Sequence, residues 1–256
     1  MTKLIAFTTI AFLATTTSAL AQDIYVSGSL GIVDQSSSSN SGETGAFTTG
    51  DLGDDTTLDV AAGTAYGWDT QFDGGSLYAI EIGKKMDNGF RFGLEGLKTK
   101  SDVDTHTDVT LGGGAIGALD AASVAGSDDP LGVTVAQVVA DGQGDISQSA
   151  LFANVYFDFN KSGAFQPYIG GGVGFADVSV DYSPSAVQII DDGETKFAYQ
   201  AKAGVTFAFD SPIEVFGEAA YRATSDIETD NSLFPGTLDI ENKQTSFSAG
   251  VRYKFN

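Results

Sequence analysis

Eight long segments of alternating apolar and polar residues, joined by connections that are alternately short and long, constrain the fold of this chain more than any other feature. The period of two predicts strands at about 23–34, 76–86, 90–101, 146–160, 166–180, 196–209, 213–225 and 244–255. Three connections are minimal, at about 87–89, 161–164 and 210–212, and four are long, at about 35–75, 102–145, 181–195 and 226–243. The first short connection, Asp87-Asn88-Gly89, is a strong hairpin signal because Asn and Gly both tolerate a positive φ.

The length and the even number of these segments predict how they close. An alternation held for about ten residues matches a tilted strand that crosses the hydrocarbon layer, whereas strands of soluble sandwiches are commonly 5–6 residues long. An even number of strands brings the last beside the first and leaves no open edge. We therefore predict an all-β fold, an eight-stranded antiparallel up-and-down transmembrane β-barrel with tight periplasmic turns and long extracellular loops. A soluble secreted β-sandwich is the competing fold.

The N-terminal residues have the three parts of a secretory signal. A basic start at Lys3 precedes an apolar run from Leu4 to Leu13, and Ala19-Leu20-Ala21 is a small-x-small cleavage site. The run is shorter than the roughly 20 residues of a spanning helix, and a buried N-terminal helix is the alternative. The sequence thus predicts a signal peptide at 1–21, a barrel at 22–256 and a location in the bacterial outer membrane.

Charge and cysteine content exclude several classes of protein. The chain has 34 acidic and 13 basic residues, a net charge of −21, and this argues against nucleic acid as a partner because phosphates require cations. It has no cysteine, so disulfides cannot close the fold. One histidine and no cysteine argue against a zinc site, and we expect no bound cofactor.

Two stretches resemble a known family. The last strand, Ser248-Ala249-Gly250-Val251-Arg252-Tyr253-Lys254-Phe255, resembles the C-terminal assembly signal of outer-membrane barrels, with Ser248, Gly250, Tyr253 and Phe255 at its key positions and Asn256 added. Pro167-Tyr168-Ile169-Gly170-Gly171-Gly172-Val173-Gly174 is similar to a stretch of the small OmpA/OmpX-like outer-membrane β-barrel domain family, which includes porin-type proteins. The resemblance implies the barrel-assembly machinery, outer-membrane lipid and lipopolysaccharide as partners, and we expect a monomer. Members of the family share no single activity.

Charged residues of both signs lie in the inward phase of the predicted strands. They are Glu81, Arg91, Glu95, Asp158, Lys202, Glu214, Glu218, Arg222, Arg252 and Lys254. Side chains fill the interior of an eight-stranded barrel, and an unpaired buried charge is very costly. These residues predict an ion-pair network that closes the lumen, and a gate in a narrow conducting pore is the alternative.

The long connections hold about 24 acidic residues and almost no basic ones. Dense groups are Asp51, Asp54 and Asp55; Asp102 and Asp104; Asp191 and Asp192; and Asp226, Glu228 and Asp230. Carboxylate oxygens suit Ca²⁺ or Mg²⁺, so these groups are candidate cation sites, although none has EF-hand spacing. A solvated, mutually repulsive surface is the alternative.

These features favour a structural or interaction protein that acts through its acidic extracellular loops. A narrow pore or gated channel for small solutes is the second hypothesis. An outer-membrane lipid hydrolase is a third, but the only histidine, His106, lies in a predicted loop without a marked serine and is interpreted as solvated. We therefore predict that the protein is not an enzyme.

Overall fold

The computed structural model describes residues 23–53, 55–186, 190–230 and 235–255. Its strands are β1 (Ile24–Gln35), β2 (Ser38–Thr44), β3 (Phe47–Thr48), β4 (Asp59–Val60), β5 (Ala65–Phe72), β6 (Gly75–Lys85), β7 (Phe90–Leu111), β8 (Gly114–Ala115), β9 (Gly144–Asp158), β10 (Phe165–Tyr182), β11 (Ile190–Ala208), β12 (Ile213–Thr224), β13 (Ile227–Asp230), β14 (Gly236–Ile240) and β15 (Lys243–Lys254). Two short helices, α1 (Ala121–Val124) and α2 (Val135–Val139), lie between β8 and β9. The predicted signal peptide, 1–21, lies outside the described residues and stays a prediction.

Eight of the strands form a closed ring. In order around it they are β1, β6, β7, β9, β10, β11, β12 and β15, each antiparallel to its neighbours. The ring closes where β1 pairs with β15, from Tyr25 opposite Lys254 to Gln35 opposite Gln244. The prediction of an eight-stranded antiparallel barrel is confirmed, and each predicted segment corresponds to one barrel strand.

The outer face of the ring carries an apolar belt bounded by aromatic residues at both rims. Near the short turns, Phe165 lies 5.5 Å from Phe207 between ring centroids, and at the opposite rim Phe175 lies 6.2 Å from Phe197. Ten residue steps along β10 at about 3.3 Å, tilted about 40°, project to roughly 25 Å, the height of a membrane belt. The alternation turns Tyr25 and Tyr168 away from this belt and into the lumen, where both are buried.

Beyond the belt the chain continues as strands rather than as loops. Strand β7 continues to Leu111 and β11 begins at Ile190. Four further strands join the upper part of β7 in the order β13-β14-β2-β5-β7, and we call this the outer sheet. Its β2 has the sequence Ser-Ser-Asn-Ser-Gly-Glu-Thr, which resembles a loop in composition. Pairing with β5 and β14, rather than local propensity, makes it a strand.

A continuous apolar cluster fills the upper lumen and the inner side of the outer sheet, and we call it the upper core. Its larger members are Val33, Tyr66, Leu77, Leu97, Val103, Ile146, Phe152, Val178, Val180, Tyr182, Ile190, Ile227, Leu238 and Ile240. Burial of such side chains is worth about 1.5–3 kcal/mol each, so the extracellular part has its own source of stability.

The two helices cover the outer sheet from one side. Asp120 caps α1 by accepting from the backbone N–H of Ala122, and it also accepts from Leu131 at 3.1 Å and Gly132 at 2.7 Å. Helix α1 has four residues, and α2 has five. Neither helix in the described ranges has the length and apolar character needed to cross a membrane.

Candidate functional site

The lower half of the lumen, toward the short turns, contains a network of charged side chains. Lys202 lies at its centre, with Nζ 2.7 Å from Glu95 Oε1 and 2.9 Å from Glu218 Oε1. Because Lys202 is on β11 and Glu95 is on β7, this bond crosses the lumen. Side chains from opposite walls therefore meet in the middle of the barrel.

Two further groups of ion pairs extend this network. Arg91 lies 3.2 Å from Asp158 and 3.6 Å from Glu81. At the periplasmic end, Glu214 bonds Arg252 at 3.0 Å and Lys254 at 3.1 Å. Nine of the ten predicted lumen charges thus have an oppositely charged partner.

Two residues depart from the predicted set. Arg222 donates instead to neutral acceptors, Gln200 Oε1 at 2.8 Å and Ser246 Oγ at 2.6 Å. Lys85 was not predicted, although its Nζ lies 3.2 Å from Glu214 Oε1. Lys85 shares the inward phase of Glu81 on β6, and this alternation was the signal that could have identified it.

Tyrosines complete the network, and glycines make room for them. Tyr25 and Tyr156 each donate a hydrogen bond of 2.6 Å to Glu81, and the Arg91 guanidinium lies 3.9 Å from the Tyr156 ring centroid. The Tyr156 ring occupies the space that a side chain at Gly170 would fill. The glycine stretch at 170–174 therefore serves close packing on its inward face.

At this level the described side chains fill most of the lumen. A void among Glu81, Arg91 and Lys202 has a volume of about 10 Å³, close to the space of a single water. Higher up, Gln148 on β9 accepts from Asn242 at 3.0 Å and from Gln244, on the opposite wall, at 2.9 Å. Above this polar layer lies the upper core.

The acidic residues predicted as cation sites are spread over separate elements. Asp51 accepts from the backbone of Gly53 and Thr56, Asp55 is exposed, Asp102 and Asp104 lie on β7, Asp226 precedes β13, and Glu228 and Asp230 are exposed on β13. Asp54 lies outside the described residues, and Asp191 and Asp192 are described only as backbone of β11. Within the ranges that the structure describes, no three His, Asp or Glu side chains gather to hold a metal ion.

The predicted assembly signal occupies the last strand. Tyr253 and Phe255 point outward at the lower rim, 44% and 41% exposed, with ring centroids 5.1 Å apart. Ser248 and Gly250 face inward, and Gly250 leaves room for the ring of Phe216. Asn256 lies outside the described residues.

His106 occupies a different position from the one predicted. It is 3% exposed and lies on β7, so the interpretation as a solvated loop residue is wrong. The pairing with β5 slips between Val103 and Thr105, and this bulge turns His106 inward. Its Nδ1 lies 2.8 Å from Thr70 Oγ1, and burial lowers the pKa of the imidazole to about 4.

Next to His106 is an apolar cavity of about 100 Å³, which we call the outer cavity. It lies between the outer sheet and the two helices, above the membrane belt. Its lining includes Tyr66, Trp68, His106, Leu111, Val124, Val135, Val138 and Tyr182. Among the described residues, His106 Nε2 and Trp68 Nε1 are buried polar atoms without a hydrogen-bond partner. Trp68 is the only tryptophan of the chain.

The chain has a family match and several similar proteins. Residues 41–252 match the sequence profile of a family described as surface antigen. Outer membrane protein PagN of Salmonella typhimurium is 26% identical over 121 residues, 43% of this chain and 51% of PagN, so the match spans about half the length of that relative.

Solved structures add the fold. OprG from Pseudomonas aeruginosa aligns with a TM-score of 0.51 at 12% identity, covering 92% of this chain and 97% of OprG. Neisserial surface protein A aligns with a TM-score of 0.45 at 14% identity, covering 91% and 98% of the two chains. The resemblance to small OmpA/OmpX-like barrels is confirmed. The family match covers most of the chain, and the similarity to PagN and to the fold of OprG agrees with the closed ring of strands; this protein therefore belongs to the surface antigen family and is an outer-membrane β-barrel protein.

Proposed function

We propose that this protein is a closed surface-display barrel: the membrane-spanning ring anchors the acidic outer sheet outside the cell, where the outer sheet is the interaction surface. In this role the protein is neither a conducting channel nor an enzyme. The observation that carries it is the filling of the interior along its whole height. Ion pairs fill the lower lumen, an amide layer crosses it, and the upper core follows.

Rigidity of the outer sheet supports the display role. Strands β5 and β7 pair from Tyr66–Leu111 to Phe72–Val103, so the sheet is an extension of the barrel wall rather than a tethered loop. Exposed acidic side chains on β13 then hold fixed positions. A fixed acidic surface attracts cationic partners over a distance of about one Debye length and repels anionic ones.

The surroundings of the only histidine support the proposal that the protein is not an enzyme. His106 Nδ1 contacts the hydroxyl of Thr70, which also accepts a 2.7 Å bond from Asn40 Nδ2. A hydrolase needs its nucleophile in an open cleft beside the base, and both Thr70 and His106 are buried.

Planar-bilayer conductance tests the closed lumen. The mature protein, refolded and inserted in a bilayer, should give no steady single-channel steps. Lys202→Met is the informative variant because it removes the central cation of the network. Steady steps from the wild-type protein would contradict the proposal and favour the narrow-pore hypothesis.

The remaining partners are proposals of the same kind. Tyr253 and Phe255, exposed at the end of the last strand, support recognition by the barrel-assembly machinery. The apolar belt and the closed ring support a monomer held by outer-membrane lipid and lipopolysaccharide. Calcium or magnesium at the acidic surface stays a prediction, and a calorimetric calcium titration without heat would exclude it.

A further inference from the structure

We propose that the outer cavity is a binding site for a small apolar molecule that carries one hydroxyl group, such as a phenol. The site lies outside the membrane belt, between the outer sheet and helices α1 and α2. It is independent of the acidic surface and of the closed lumen. Three observations carry the proposal: the apolar wall, the unpartnered polar atoms and the open rim.

The wall of the cavity suits an apolar ligand. Val124 and Val135 are each 8% exposed and face it from the two helices, with Tyr66 and Leu111 on the sheet side. A dry apolar cavity of about 150 Å³ binds benzene in another protein. The outer cavity, at about 100 Å³ with an open rim, suits a ligand of similar or slightly smaller size.

The polar atoms in the wall select the hydroxyl. A buried polar group without a partner is destabilising, so a ligand that supplies the missing bond is bound more tightly. His106 Nε2 is such a group, and its imidazole is held in place through Nδ1 by Thr70. A hydroxyl donates and accepts, so it can bond Nε2 in either neutral tautomer. Trp68 Nε1 is a second buried donor in the same wall.

The rim gives the ligand a way in from outside. Ala125 is exposed and Val138 is partly exposed, and both line the cavity. These residues belong to the helical segment, whose apolar side chains pack against Val109 of β7 and against Ile116. Entry therefore requires no passage through the membrane or the lumen.

Fluorescence of Trp68 tests the proposal, because the only tryptophan of the chain lies in the cavity wall. The mature protein in lipid nanodiscs is titrated with phenol and, separately, with toluene, which has a methyl group in place of the hydroxyl. Excitation at the red edge of tryptophan absorption avoids the absorption of both probes. Phenol should change the Trp68 emission saturably, with an affinity about tenfold above that for toluene, as one added hydrogen bond predicts.

Matched variants separate the site from unspecific partition into lipid. Val135→Phe fills the cavity and should abolish saturable binding, and Val138→Phe at the rim is a second blocking variant if the first misfolds. Val133→Phe is the control, because Val133 lies two residues away, is 38% exposed and does not line the cavity. His106→Leu should remove the preference for phenol over toluene.

Circular dichroism and the heat-induced shift in gel mobility verify that each variant is folded. Saturable binding of phenol that is lost in the blocking variants and kept in Val133→Phe supports the site. A wild-type emission that does not saturate with phenol, or that responds equally in a folded blocking variant, overturns it. Equal affinities for phenol and toluene overturn the assignment of the hydroxyl to His106.

Discussion

The lower lumen and the extracellular half of this protein are built on the same strands and are filled in opposite ways. In the lower lumen, charged and phenolic groups meet across the ring, with Lys202 bonded to Glu95 and Glu218. In the extracellular half, Val178, Ile190 and Ile240 pack as in a soluble protein, each essentially buried. The difference follows from the surroundings of the strands.

Within the membrane belt the outward face must be apolar, and the period of two leaves the inward face free to be polar. Above the belt the outward face meets water, so the inward face must supply the apolar burial that holds the strands together. The change from a polar to an apolar interior along β10, from Tyr168 to Val180, marks where the chain leaves the lipid. The two halves should therefore respond differently to substitution.

The largest effect is expected in the lower lumen. Lys202→Met leaves Glu95 and Glu218 buried without their cation, and should lower the free energy of unfolding by about 3–5 kcal/mol. Urea unfolding in lipid vesicles, followed by gel mobility, measures it. Lys196→Met is the matched control on the same strand and phase, since Lys196 pairs with the partly exposed Glu194, and should cost less than about 1 kcal/mol. Equal losses would contradict the special role of the buried pairs.

The next effect is expected in the extracellular half alone. Ile240→Ala removes a fully buried side chain of β14. It should lower the free energy needed to open the outer sheet by about 2–5 kcal/mol. Limited proteolysis should then cut the outer sheet while the barrel keeps its heat-induced gel shift. Leu131→Ala, at a residue that is 70% exposed, should change neither. Loss of the gel shift in Ile240→Ala would show that the two halves unfold together.

Acid should also act on the extracellular half. Burial holds the pKa of His106 at about 4, below its ordinary 6.5, and the negative charge of Asp141 opposes this shift. Between pH 6.5 and 4 the unfolded state binds a proton that the folded state does not, so stability falls as the pH falls, by at most roughly 3 kcal/mol. Emission of Trp68, whose ring centroid lies 6.4 Å from that of His106, should titrate with a midpoint near pH 4. If the Trp68 emission of His106→Gln titrates in the same way, the groups that take up the proton are carboxylates and not His106.

The smallest of the four effects is expected when substitutions on the two faces of one strand are compared. Gly170→Ala places a methyl group against the Tyr156 ring inside the lumen, and should cost about 1–3 kcal/mol. Gly171→Ala, one residue away on the lipid face, meets only an ordinary contact with Gln200 and should be nearly neutral. Thermal unfolding of the two variants in the same lipid measures the difference. Similar melting temperatures would show that the lumen has room to adapt.

The barrel itself was predictable from the sequence because the two environments impose a strict alternation. Phe247, Val251 and Tyr253 against Ser246 and Arg252 give both the strand and its inward face without knowledge of its neighbours. The same phase identified nine of the ten lumen residues that form ion pairs, and Lys85 is the tenth.

The outer sheet was not predictable in the same way. Strand β2 is made mostly of Ser, Asn and Gly, and only its pairing with β5 and β14 makes it a strand. Two irregularities break the alternation of β7: the slip between Val103 and Thr105 turns His106 inward, and the second lies at Asp108, which has a φ of 55°. Such bulges depend on a partner strand that is distant in sequence, so a local pattern does not reveal them.

Hydrogen exchange followed by mass spectrometry tests the comparison most directly, because it measures the outer sheet and the barrel in one sample. In the mature protein in lipid nanodiscs, amides of β5 and β14 should exchange at least a thousandfold more slowly than an unstructured chain, although they are outside the membrane. Protection of the barrel strands should be greater still. Exchange of β5 and β14 amides at the rate of an unstructured chain would contradict a folded extracellular half. It would show that these segments are flexible loops.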